Sequence, residues 1–331
     1  MRTIDLTGRP EFFHGIAALE VAERGLFAAR MTPALREFYR RQSEMWYFRA
    51  VGGAGVRLVF RTAARKLAAH FALGARSRDF FGFDVVCNEQ LIARFTSPTP
   101  RDEFAFTAAL PGSGIRTVEI HLPYEVESFL QKLELDDDGV MEPVTFPEAP
   151  MIFIGDSITQ GMEAVAPGET YAVQLAQKLG RDSINLAVGG MRMLAEPTRY
   201  ALDYRWDTAI LAYGVNDAAW RTPLAAFREQ TRRCLTLLTA RSEAQVWLFT
   251  PIPWPNQPVK HPVEFALERY REILLECAAA FPAVRVVDGF TLLENEARYF
   301  ADGVHPNAEG MARMAERLFR RFTGSGAESA R

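Results

Sequence analysis

The sequence predicts two domains of different class: an all-β sandwich over residues 1–145, then an α/β domain on a parallel sheet over residues 146–323. Three observations predict it. From about residue 45 to 140, short segments rich in β-branched and aromatic residues follow one another with no helical periodicity between them. The stretch Met141–Pro150 (MEPVTFPEAP) then holds three prolines, which remove backbone donors and fix φ, as a linker does. Beyond it, short apolar runs alternate with amphipathic segments of roughly 10 to 18 residues, the grammar of strand–helix units around a buried parallel sheet.

The strands of the first half read as Met45–Gly52, Val56–Thr62, Lys66–Leu73, Phe80–Val86, Leu91–Thr96, Glu103–Leu110, Arg116–Pro123 and Phe129–Leu135. In Arg57–Arg61 and Thr117–His121 polar and apolar residues alternate, so one face is wetter than the other. Turn-forming residues at Gly52–Gly55, Cys87–Gln90, Pro111–Gly114 and Asp136–Gly139 separate them. Strands at this spacing suggest a sandwich. Before residue 45 the pattern allows one helix near Thr32–Gln42.

In the second half the strands read as Met151–Ile154, Ser183–Ala187, Thr208–Ala212, Val246–Thr250 and Val284–Val287. The helices read as Thr170–Leu179, Pro223–Ala240, Val263–Ala280 and Asn307–Phe322. The small, polar residues 324–331 read as a disordered tail.

Composition narrows the function. Lys plus Arg (38) nearly balances Asp plus Glu (41), so the basic stripe of a nucleic-acid binder is not expected. No apolar run approaches the ~20 residues of a membrane span. The opening residues lack the charged-then-apolar order of a secretory signal, so a cytoplasmic protein is expected. Cys87, Cys234 and Cys277 are odd in number, lie in apolar runs without metal-like spacing, and read as buried thiols. A homo-oligomer is compatible with all of this.

In open parallel sheets, sites form in the loops at the carboxyl ends of the strands. There the sequence places Gly155-Asp156-Ser157-Ile158-Thr159-Gln160-Gly161 after the first strand and Val188-Gly189-Gly190 after the second. Gly214-Val215-Asn216-Asp217 follows the third, and Asp302-Gly303-Val304-His305-Pro306 precedes the last helix. A serine hydroxyl becomes nucleophilic only when a base takes its proton. His305 can be that base for Ser157, with Asp302, three residues earlier, fixing its tautomer. The N–H groups of Ser157 and Gly190 and the side-chain amide of Asn216 can meet a developing oxyanion. The competing reading makes Ser157 a helix cap and Asn216 a turn residue.

These four blocks, in this order, resemble those of the SGNH (GDSL-like) serine hydrolases over residues 150 to 323. The resemblance implies a flavodoxin-like sheet, Ser157 as nucleophile, Asp302 and His305 as the rest of a triad, and Gly190 and Asn216 as oxyanion donors. It implies no metal and no cofactor. Ile158 stands where many members have Leu, and Gly189 is an alternative donor to Gly190. The first half more loosely resembles the jelly-roll-like sandwich that precedes the catalytic domain of some carbohydrate esterases and acyltransferases. The expected activity is hydrolysis of a carboxylic ester with a short acyl group, such as acetyl, on a carbohydrate or small alcohol. Acyl transfer by the same triad and inactive carbohydrate binding are the alternatives.

Asp156 and Asp217 read as loop-bonding carboxyls, and His14, His70, His121 and His261 as structural. Trp254, in the proline-rich loop Thr250–Asn256, is a candidate substrate-binding residue that could stack on a sugar or acyl chain. Tyr171, Trp220 and His261 are weaker candidates.

Overall fold

The computed structural model describes residues 1–136, 141–257 and 262–324. They fall into two compact units, one of residues 1–147 with 166–168, the other of residues 148–165 and 169–331.

The first unit holds two antiparallel sheets. One runs in the order Ala18–Ala22, Gly25–Ala29, Val126–Leu135, Lys66–Arg76, Glu103–Ala109, with Arg2–Ile4 also on Val126–Leu135. The other runs Glu142–Pro143, Arg57–Thr62, Arg116–His121, Phe81–Cys87, Gln90–Ser97, with Phe13–His14 on Arg57–Thr62. Side chains alternate along each strand, so Leu67, Ala69, Phe71 and Leu73 from the first sheet meet Leu58, Phe60, Phe83 and Val85 from the second in one core. Phe71 and Phe83 join the sheets with ring centroids 4.6 Å apart. This is the expected sandwich.

Two expectations for this half need correction. Met45–Gly52 does not form a strand; Glu44–Val51 is a helix following the helix Pro33–Gln42. Its aromatic residues gave it a strand-like composition, but Tyr47 and Val51 recur at helical spacing and pack on Phe27, Ala72 and Phe129. Second, the proline-rich stretch is not all linker: Glu142–Pro143 pairs with Arg61 and Phe60. Pro143 sits there on an edge strand, where its missing N–H costs no ladder bond. Most of the Asp136–Gly139 turn, and the tail beyond Gly324, lie outside the described residues.

The second unit is a five-stranded parallel sheet, β1 (Met151–Gly155), β2 (Ser183–Asn185), β3 (Thr208–Ala212), β4 (Gln245–Phe249) and β5 (Val284–Val287). Its order is β2-β1-β3-β4-β5, the flavodoxin-like order. The strands are continuous apolar runs because helices cover the sheet, and Met151–Ile154 and Ala209–Leu211 are buried. The helices are α1 (Ser157–Gln160), α2 (Tyr171–Lys178), α3 (Ala195–Arg199), α4 (Val215–Ala219), α5 (Leu224–Thr239), α6 (Leu267–Ala278) and α7 (Ala308–Thr323). Helix α2 packs with α7, and α5 with both α3 and α6. In this order the chain reverses direction between β1 and β3, which opens a crevice at their carboxyl ends.

Candidate active site

The crevice is where the sequence blocks converge. Strand β1 ends at Gly155, where a β-carbon would lie 2.7 Å from the Ala212 carbonyl oxygen of β3 and 2.5 Å from Thr159 Oγ1. Only glycine lets the two strands close there. Asp156 then caps α1, its Oδ1 accepting the Ile158 N–H at 3.0 Å. Because Asp156 takes the cap, Ser157 stands at the first helical position with its hydroxyl uncommitted to the helix. Its own N–H has no acceptor within the helix. Behind it, Thr159 Oγ1 meets the buried Tyr171 hydroxyl at 2.9 Å. Tyr171 is thus committed to packing α2 against α1.

Ser157 Oγ lies 2.8 Å from His305 Nε2. His305 Nδ1 lies 2.7 Å from Asp302 Oδ2. The other carboxylate oxygen, Oδ1, accepts the N–H groups of Val304 (2.9 Å) and His305 (2.8 Å), closing the turn that carries both residues. Burial raises the Asp302 pKa, but the His305 backbone and ring and the Val304 N–H outweigh it, and the carboxyl stays below its usual range. An ionised Asp302 accepts the Nδ1 proton and leaves Nε2 bare toward the serine.

A further residue braces this turn. Asn256, in the loop after β4, donates its side-chain amide to the Asp302 carbonyl at 3.0 Å and its N–H to the Gly303 carbonyl at 3.3 Å. At Gly303 φ is +80°, and a β-carbon would lie 1.8 Å from Asn256 Nδ2. Asn256 had only one signal in the sequence, its place in the loop at a strand's carboxyl end.

The candidate oxyanion donors are held by bonds of their own. The Gly189 N–H is taken by Gln160 Oε1 at 2.7 Å, which leaves Gly190, with φ +80°, as the glycine whose N–H is open. Asn216, in the first turn of α4, gives one amide hydrogen to the Met191 carbonyl at 2.9 Å and keeps a second. Asp217 is fully buried and accepts the Met193 N–H at 3.0 Å. Burial pushes the carboxyls of Asp156 and Asp217 up to about 7 and about 6. Asp217 bonds a loop amide, as expected, whereas Asp156 bonds an amide in the first turn of α1.

Trp254 is partly buried in the loop after β4, where its carbonyl closes a turn onto Gln257. Trp220 is 71% exposed at the end of α4. His261 lies outside the described residues. His121 is buried beside Glu119, and His70 lies 3.8 Å from Glu134. Cys87, Cys234 and Cys277 are free and buried. Among the described residues, no group of three or more His, Cys, Asp or Glu side chains is placed to hold a metal ion. None of their helices is long and apolar enough to cross a membrane.

Residues 153–313 match the model of the GDSL-like lipase/acylhydrolase family. No curated protein matches the sequence. Among solved structures, the salicylyl-acyltransferase SsfX3 from a tetracycline biosynthetic pathway is similar with a TM-score of 0.85 and 22% identity, covering 100% of this chain and 99% of its own. A Bacteroides ovatus protein assigned to the GDSL-like lipases gives a TM-score of 0.74 at 17% identity, covering 94% of each chain. An acetyl xylan esterase from the rumen bacterium Butyrivibrio proteoclasticus gives 0.66 at 13% identity, covering 98% of this chain and 100% of that one. At these identities the likeness is one of fold, and it extends through the sandwich. After its N-terminal sandwich the chain thus carries, over residues 153–313, a GDSL-like lipase/acylhydrolase domain with the fold of the SGNH type.

Proposed function

We propose that the protein cleaves a carboxylic ester bearing an acetyl or other short acyl group, on a carbohydrate or small alcohol, through an acyl-enzyme on Ser157. The observation that carries this reading is the continuous chain from Asp302 Oδ2 through His305 to Ser157 Oγ, at 2.7 Å and 2.8 Å. His305 Nε2 takes the serine proton as Oγ attacks the acyl carbon. The oxyanion is met by the N–H groups of Ser157 and Gly190 and by the second amide hydrogen of Asn216. His305 then returns the proton to the departing alcohol, and water, activated by the same imidazole, releases the acid. Asp302 holds the Nδ1 proton throughout. Trp254 offers a flat surface on which a sugar or acyl chain can stack.

The short acyl group and the carbohydrate draw support from neighbours that include the acetyl xylan esterase and a Clostridium thermocellum family two carbohydrate esterase in complex with cellohexaose. One observation favours a second reading. The acyltransferase SsfX3 matches both chains over nearly their whole length. In that reading an acceptor alcohol replaces water in the second step, with the same residues in the same roles. A panel of p-nitrophenyl esters of rising acyl length and acetylated sugars, run with and without acceptor alcohols and read by mass spectrometry, tests both. Free acid as the sole product supports hydrolysis, and a new ester supports transfer. Neither product from any ester would refute both.

A further inference from the structure

The segment Met191–Ala195 leaves the Gly190 turn with buried and outward side chains in alternation: Met191, Met193 and Ala195 are buried, Arg192 and Leu194 only partly. Both neighbours of Arg192 are pinned to one turn, the Met191 carbonyl by the Asn216 amide and the Met193 N–H by the Asp217 carboxyl. Arg192 therefore projects outward from backbone fixed between the two donors, Gly190 and Asn216, assigned to the oxyanion. Other partly buried guanidinium groups of this unit are matched to carboxylates or carbonyls: Arg181 to Asp207, Arg271 to Asp288, Arg313 to Glu294, and Arg241 to the Tyr204 carbonyl. Arg192 has no hydrogen bond or ion pair among the described residues. Through space, and without a bond, it favours the charged form of the buried Asp217. A partly buried guanidinium with no hydrogen bond, two residues along the chain from Gly190, is free to take an anion.

We propose that Arg192 is a specificity-determining residue that binds a carboxylate on the ester substrate. This rests on the acyl-enzyme reading of Ser157. The anion could lie on the acyl or the alcohol side of the ester, and the experiment separates them. Steady-state kinetics of wild type, Arg192→Gln and Arg192→Lys are compared on three esters. These are p-nitrophenyl butyrate (neutral), p-nitrophenyl hemisuccinate (anion on the acyl side) and 4-acetoxybenzoate (anion on the alcohol side).

The glutamine variant is expected to lose about 10- to 100-fold in kcat/KM on one of the two anionic esters, the range of a charge-assisted hydrogen bond. Butyrate turnover should change less than about twofold, and lysine should restore part of the loss. Which anionic ester suffers identifies the side. Equal changes on all three esters, or none on either anionic ester, would overturn the role of Arg192. Labelling of wild type by a fluorophosphonate, run in parallel, tests the underlying reading independently. Labelled enzyme with no effect of Arg192 refutes only this inference, whereas unlabelled enzyme refutes the acyl-enzyme itself.

Discussion

Asp156 and Asp302 flank the same serine–histidine pair, one residue before Ser157 and three before His305, and their surroundings drive them in opposite directions. Asp156 is buried under α1 with a single N–H, that of Ile158, on Oδ1, and burial pushes its carboxyl up to about 7. Asp302 has a side chain 46% exposed, yet three donors hold it below the usual range. Depth raises the first and neighbouring N–H groups lower the second, and the balance decides which carboxylate is ionised and can support an imidazolium. In the sequence the two differ by spacing: Asp302 lies one turn from a histidine, and Asp156 starts a helix.

The largest effect should come from breaking the ionised member. Asp302→Asn is expected to keep the fold and lower kcat by about 10³–10⁴, since an amide cannot hold the same tautomer. Steady-state assay on a small activated ester checks it. A loss under about tenfold would mean that exposure has already uncoupled Asp302 from His305. Next comes the oxyanion side. Asn216→Ala should lower kcat by about 10²–10³ with a smaller change in KM, because its second hydrogen is used only in the transition state. A change in KM alone would make Asn216 a ground-state contact.

A smaller effect sharpens the view that the Asp302 turn is held from outside. Asn256→Ala removes one of the two bonds bracing Asp302 and Gly303, and kcat should fall about tenfold with KM little changed. The variant's melting temperature separates this from general loosening.

The smallest activity effect belongs to Asp156→Asn, under about twofold, since Asn can still cap α1. Its signature lies in stability. The folded protein holds the Asp156 proton more tightly than the unfolded chain, whose ordinary value is 3.8. Its contribution is therefore full below about pH 4 and lost as pH rises toward about 7. Denaturant midpoints measured across that window should decline less steeply in the variant. Some decline should persist, because the Asp217 carboxyl, pushed up to about 6, titrates in the same sense.

Much of this was legible because burial leaves a periodic mark. All five strands of the parallel sheet and its four longest helices were placed within a few residues, and the caps Thr170 and Asn307 mark two helix starts. The segment Glu44–Val51 was misread because Trp46, Tyr47 and Phe48 favour strands in isolation, and only packing on the sheet makes it helical. The choice between Gly189 and Gly190 depended on a side chain elsewhere, Gln160, whose reach no local pattern encodes. Asn256 was hidden for the same reason: it braces a turn 46 residues away.

Activation of Ser157 through His305 is tested directly by one measurement. The protein is treated with a fluorophosphonate, digested and mapped by mass spectrometry, with Ser157→Ala and His305→Ala treated alongside. A single adduct on the peptide carrying Ser157, absent from Ser157→Ala and formed at least about 10²-fold more slowly in His305→Ala, is the predicted result. An adduct on another residue, or labelling of Ser157 at an undiminished rate without His305, would contradict it.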